Sequence, residues 1–207
     1  VRQLIRIIKE NEIDVVHVHQ GNLMPFFLLI KTACPDVTFY FTVHDTYIFS
    51  SDLNEMDRKI ANLICKRIIA ISDGVVKDIR SCGIKKEKIK RIYNGINFDK
   101  FKMVERKDRK EPFKIINVAR FYPQKKGQDV LIKATAILKE RGYRIKIIFA
   151  GDEPQGVNGE MNRMKELAKA IGVLDNMVFL GNIQDVNKEL EQADIFCIPS
   201  NYEGFGI

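Results

Sequence analysis

Short apolar runs alternate with segments of helical periodicity along almost the whole chain, and this alternation restricts the fold more than any other feature. Strands are expected over 14–19, 37–43, 67–71 and 89–93, and again over 114–119, 144–150, 177–180 and 194–198. Before and between them, 2–11, 23–34, 54–66, 72–82, 128–141, 161–171 and 186–192 read as helices, many with apolar residues at helical spacing. Ser72 stands where an N-cap is needed, and Gly83 falls just past the end of the same helix. Strand–helix repetition of this kind builds parallel sheets with right-handed crossovers. The strands are nearly continuous apolar runs, as expected when helices cover both faces of a sheet. The class is therefore α/β, with two Rossmann-like parallel-sheet domains, the first lacking its opening strands and the second its closing elements.

Charge locates the division between them. The 207 residues carry a formal net charge of +7. Residues 1–84 hold ten basic and ten acidic side chains, and 115–207 hold twelve of each. The excess lies in 85–114, with twelve basic and five acidic. A partial N-terminal domain over 1–100, a charged linker over 101–113 and a partial C-terminal domain over 114–207 follow from this. The basic stretch reads as a solvated connection, or as a face for peripheral contact with an anionic membrane or substrate. Nucleic-acid binding ranks last among the readings and no nucleic-acid partner is expected, because the basic excess is local and no stacking platform is interleaved with it.

Other classes drop out. The longest apolar run, 23–30, is too short to span a membrane and contains Pro25. No signal peptide is visible. The first residue is Val1, and 2–9 already lies inside a helical pattern, so the chain is expected to be a piece of a longer protein. The four cysteines form no C-x-x-C pair and each sits in or beside an apolar segment. Reduced, buried thiols in a cytoplasmic protein fit this better than zinc or disulfides. There is no G-x-x-x-x-G-K-[ST] loop, no G-x-G-x-x-G after a strand, no G-x-S-x-G elbow and no D-x-D pair. Neither nicotinamide chemistry nor nucleophilic hydrolysis has support, and a metal-clamped diphosphate has no ligands.

Two stretches carry chemistry. NVARFYPQKKG leaves a strand end and enters a helix, offering Arg120, Lys125, Lys126 and Gly127. Ligands of parallel sheets bind outside the carboxyl ends of the strands, and cations there suit a phosphorylated ligand. A surface turn with solvated charges is the alternative. ADIFCIPSNYEGFGI ends a second strand and presents Glu203 followed by Gly204, Phe205 and Gly206. A carboxylate there can accept from sugar hydroxyls, and glycines after it can bare backbone N–H groups to phosphate. Both loops are expected on one sheet edge. His17 and His19 alternate on a strand and share a face; a hydrogen-bonded pair is favoured over half a metal site. His44 follows its own strand directly and can face a cleft, or serve only as a polar loop residue.

The pieces DVVHVHQ, FTVHDTY, IIAISDGVVKDI, IYNGINFDKF, INVARFYPQKKG, IIFAGDEP, VFLGNI and ADIFCIPSNYEGFGI, in this order, resemble the retaining nucleotide-sugar-dependent glycosyltransferases of family four, with the GT-B fold. The resemblance implies that the C-terminal domain binds most of the donor, and that the N-terminal domain is acceptor-side. It implies that Arg120 and Lys126 contact the donor diphosphate, with Lys125 beside them. It places Glu203, first glutamate of an E-x7-E motif, on the donor sugar, and His44 by the reacting sugar carbon. Gly204, Phe205 and Gly206 join the donor-binding set. No cofactor or metal is implied. The partners are a nucleotide-sugar donor and a glycan or lipid-linked acceptor, at a cytoplasmic location. The motif's second glutamate would fall beyond Ile207, and the family's glycine-rich turn before Val1. A sugar-nucleotide epimerase, a glycogen-synthase-like enzyme, or a non-catalytic pair of domains binding a phosphorylated ligand are the alternatives.

Overall fold

In the computed structural model of the protein, residues 1–101, 112–154, 156 and 158–206 are described. They form two compact units. The first comprises Val1–Gly95 together with 203–206, and the second lies within Ile96–Tyr202. Most of the charged linker expected over 101–113 lies outside the described residues.

The first unit is a four-stranded parallel sheet of β1 (Val15–Val18), β2 (Thr38–Val43), β3 (Cys65–Ala70) and β4 (Ile89–Arg91), in that order. Helices α1 (Arg2–Glu10), α2 (Met24–Ala33), α3 (Glu55–Ile64) and α4 (Asp73–Ser81) connect or flank the strands. β2 explains the order: Phe39 and Phe41, both fully buried, need cover that only a central strand receives. Met24, Ile30, Phe49, Ile68 and Ile79 close around them. Capping fixes the helix entries. The Asn54 side chain accepts from the Asp57 N–H at 2.9 Å, and the Ser72 hydroxyl from the Val75 N–H at 3.2 Å, each retaining about 1 kcal/mol that an alanine would lose.

The second unit contains β5 (Phe113–Val118), α5 (Pro123–Lys126), α6 (Gln128–Glu140), β6 (Ile145–Ala150), α7 (Glu160–Ala170), β7 (Met177–Gly181), α8 (Val186–Gln192) and β8 (Ile195–Phe196). Its parallel sheet has the order β7-β6-β5-β8. The chain therefore builds outward from β5 on one side, then returns to β5's other edge. That reversal makes a topological switch point between β5 and β8, where open α/β sheets bind ligands.

Two stretches read as loop contain helical turns. PQKK is a single turn, with the Lys126 N–H bonded to the Tyr122 carbonyl at 2.8 Å and Pro123 at its start. In the stretch after His44, a π-helical turn runs over Ile48–Asp52. Residues 203–206 pack with the first unit instead of completing the second. The cause is local. A Cβ on Gly204 would lie 2.2 Å from the His44 carbonyl oxygen, so only glycine allows this approach. The Thr46 hydroxyl donates to the Glu203 carbonyl at 3.5 Å, and the Phe205 ring lies 5.6 Å from that of Tyr93.

Candidate functional site

In the second unit, the loops leaving β5 and β8 are bound to each other at the switch point. Asn117 on β5 donates through Nδ2 to the Cys197 carbonyl at 2.8 Å. Asn201 donates its N–H to the Lys125 carbonyl and its amide to the Gln124 carbonyl, both at 2.8 Å. Gly127 closes the contact. Its φ is 67°, and a Cβ there would lie 2.0 Å from the Pro199 carbonyl oxygen. Glycine alone satisfies both the left-handed backbone and that approach. Gln128, fully buried at the head of α6, donates Nε2 to the Arg120 carbonyl at 2.8 Å and so fixes the loop's first cation.

Arg120 lines an open cleft of about 480 Å³ with Val118, Gly151, Asp152, Glu153 and Asn182. The two carboxylates there already accept from main-chain donors. Glu153 takes the Gly159 and Met161 N–H groups at 3.1 and 2.7 Å, and Asp152 takes the Glu153 N–H at 2.8 Å. Arg120 is exposed, and its guanidinium has no acidic partner among the described residues. Lys125 and Lys126 follow on α5, half-buried, with the Lys125 ammonium 4.8 Å from the centre of the Tyr202 ring. α6 starts directly after them, so its positive end adds to theirs. Three cations and a helix start on one strand end can hold an anion as large as a diphosphate.

The first unit gathers a different group. His17, His19 and His44, the three histidines of the chain, meet at the carboxyl ends of β1 and β2. His17 Nε2 lies 2.6 Å from the Thr42 hydroxyl, and His19 Nδ1 lies 2.7 Å from His44 Nε2. Partial loss of hydration lowers the pKa of His17, with the nearby His19 adding to it. The same cause lowers that of His44, followed by the charges of His19 and His17. Like charges this close disfavour a second cation, so the protonated forms of His17 and His44 are disfavoured.

The loop after His44 is carried from below. The carboxylate of Asp78, buried on α4, accepts from the Phe49 N–H at 2.9 Å and from the Ser50 hydroxyl. Arg58 donates to the Ser50 carbonyl at 3.2 Å. Asp78 is not singled out from the sequence. A charged residue facing the apolar side of that helix was the available signal. Glu203, Gly204, Phe205 and Gly206 stand with this group, while Arg120, Lys125 and Lys126 stand in the second unit. Among the described residues, no group of three or more His, Cys, Asp or Glu side chains is placed to hold a metal ion.

Two Rossmann-like parallel sheets, one with a cationic turn at its switch point, define the GT-B class of glycosyltransferase folds. The chain belongs to the family described as glycosyl transferases group 1, whose model matches 98–207, and the model of glycosyltransferase family 4 matches 1–100. It is 28% identical over 229 residues to an uncharacterised 41.2 kDa protein in the cps region of Klebsiella pneumoniae, covering 99% of this chain and 58% of that one. It is 36% identical over 91 residues to the putative glycosyltransferase EpsF of Bacillus subtilis, covering 44% and 22%. Its fold matches that of Anabaena HepE, solved in complex with UDP and glucose, at a TM-score of 0.81 and 19% identity, covering 99% and 57%. The chain thus spans little more than half the length of these relatives at most.

Proposed function

We propose that the protein transfers a sugar from a nucleotide-diphosphate donor to a glycan or lipid-linked acceptor in the cytoplasm, with retention of anomeric configuration. The observation that carries the proposal is the cationic turn of Arg120, Lys125 and Lys126 at the β5–β8 switch point, beside an open cleft. Breaking the sugar–phosphate bond builds negative charge on the departing diphosphate. Fixed cations stabilise that charge without reorganising, and the reading gives this part to Arg120 and Lys126 without a metal. The sugar develops oxocarbenium character, which hydrogen bonds to its hydroxyls stabilise; Glu203 and His44 take that role. Family membership supports the class of reaction, and the UDP and glucose bound by HepE support a nucleotide sugar. Among the described residues, no helix is long and apolar enough to cross a membrane. Contact with an anionic bilayer would fall to the basic stretch 85–114, part of which lies outside the described residues.

A panel of nucleotide sugars tests this. A matching donor should raise the melting temperature and yield a product whose anomeric configuration equals that of the donor. An inverted product would contradict retention. An epimerised free sugar nucleotide would favour an epimerase, and no stabilisation by any donor would favour a non-catalytic domain pair.

A further inference from the structure

His44 is not held by its own loop alone. Its Nε2 lies 2.7 Å from His19 Nδ1, and the two rings meet edge to edge along that line, with centroids 5.0 Å apart and planes inclined by 27°. A nitrogen pair at this distance needs one N–H and one lone pair, so one proton serves both atoms. The contact has two effects on His44. It fixes the ring's rotation, because turning the ring would break the bond. It also occupies Nε2, leaving Nδ1 as the ring nitrogen with which His44 can meet a ligand.

The character of that Nδ1 depends on His19. If His19 Nδ1 carries the shared proton, His44 is the Nδ1–H tautomer and donates. If His44 Nε2 carries it, His44 Nδ1 has a lone pair and accepts. We propose that His19 is a positioning residue for His44, fixing its ring and setting which tautomer it presents. The inference rests on the reading of His44 as a residue at the donor sugar.

The surroundings favour such a role. The His17 ring lies 4.3 Å from that of His19 on the same face of the sheet, and its own Nε2 is engaged by the Thr42 hydroxyl. Asp45, next in the chain, has Oδ1 committed to the Thr46 N–H at 2.9 Å. The second ring nitrogen of a functional histidine is commonly governed by such a partner, usually a carboxylate or carbonyl. Here an imidazole occupies that place, and unlike a carboxylate it can either donate or accept.

Ring-nitrogen NMR of the 15N-labelled protein at pH 7.5 tests this. His19 Nδ1 and His44 Nε2 should be of opposite type, one protonated and one not. In His19→Leu, His44 should relax to the tautomer mixture of a solvated imidazole. His19→Asn, whose amide places a polar atom near the lost Nδ1, should restore a single tautomer. Sugar transfer should follow, with kcat about tenfold lower in His19→Leu, donor KM within about twofold, and recovery in His19→Asn. Two nitrogens of the same type, or a His44 tautomer unchanged in His19→Leu, would overturn the proposal. Full transfer by His44→Ala would instead remove the sugar-side reading of His44, with the NMR result still deciding the hydrogen bond.

Discussion

Gly127 joins the cationic turn to α6, and replacing it by alanine gives a cost that can be worked from the structure. With φ at 67°, the new Cβ enters a left-handed backbone, at about 1–2 kcal/mol. It also lies 2.0 Å from the Pro199 carbonyl oxygen, where contacts below 3.0 Å essentially never occur. The two segments must therefore separate by about 1 Å. That movement strains the two Asn201 hydrogen bonds to the Gln124 and Lys125 carbonyls, at about 1 kcal/mol each. The sum is a loss of about 3–4 kcal/mol. Gly142 supplies the control. Its φ is 83° and no heavy atom stands within 4 Å of its would-be Cβ, so Gly142→Ala should lose only the backbone part, about 1–2 kcal/mol. Urea unfolding followed by circular dichroism measures both, and hydrogen exchange at the β5 and β6 amides assigns the loss to this unit. Equal costs for the two variants would refute the argument that the β5 and β8 loops are locked by this contact.

Asp78→Ala should destabilise the first unit by about 3 kcal/mol, since two groups lose a charged, buried acceptor, while Asp78→Asn should lose roughly half as much; urea midpoints compare them, and equal midpoints would count against the carboxylate's role. Burial pushes the Cys65 thiol up to about 12, so iodoacetamide at pH 8 should modify the half-buried Cys82 and spare Cys65 in the native protein; a Cys65 adduct found by mass spectrometry would contradict this. His17 and His44 titrate below their ordinary value of 6.5 in the folded chain. The unfolded chain then binds more protons as pH falls through 6.5, so stability is full above that pH and declines below it. Melting curves across that range should show the decline, and the double variant His17→Gln/His44→Gln should flatten it.

The alternation of strand and helix was legible because it is a local property, set by apolar spacing and by caps such as Ser72. Sheet order was not, since it depends on which edge of β5 receives β8, and no residue of β8 advertises that. The turns in PQKK and Ile48–Asp52 escaped for a related reason: one turn is shorter than the helical period needs to show itself. Arg120 and Lys126 could be singled out because cations on a strand end have few structural uses. The meeting of His19 with His44 could not, because 25 residues separate them and only strand register brings them together. The departure of 203–206 from the second unit depends equally on a distant partner, the His44 carbonyl.

Titration calorimetry with UDP on the wild-type protein, Arg120→Ala and Lys126→Ala tests the diphosphate site most directly. If Arg120 and Lys126 hold the donor diphosphate as proposed, each substitution removes a charged hydrogen bond to the phosphates and should weaken binding by about 1.5–3 kcal/mol, roughly 10- to 150-fold, whereas uridine, which lacks the diphosphate, should bind all three proteins alike. UDP affinity unchanged in both variants would contradict the assignment of these cations to the donor.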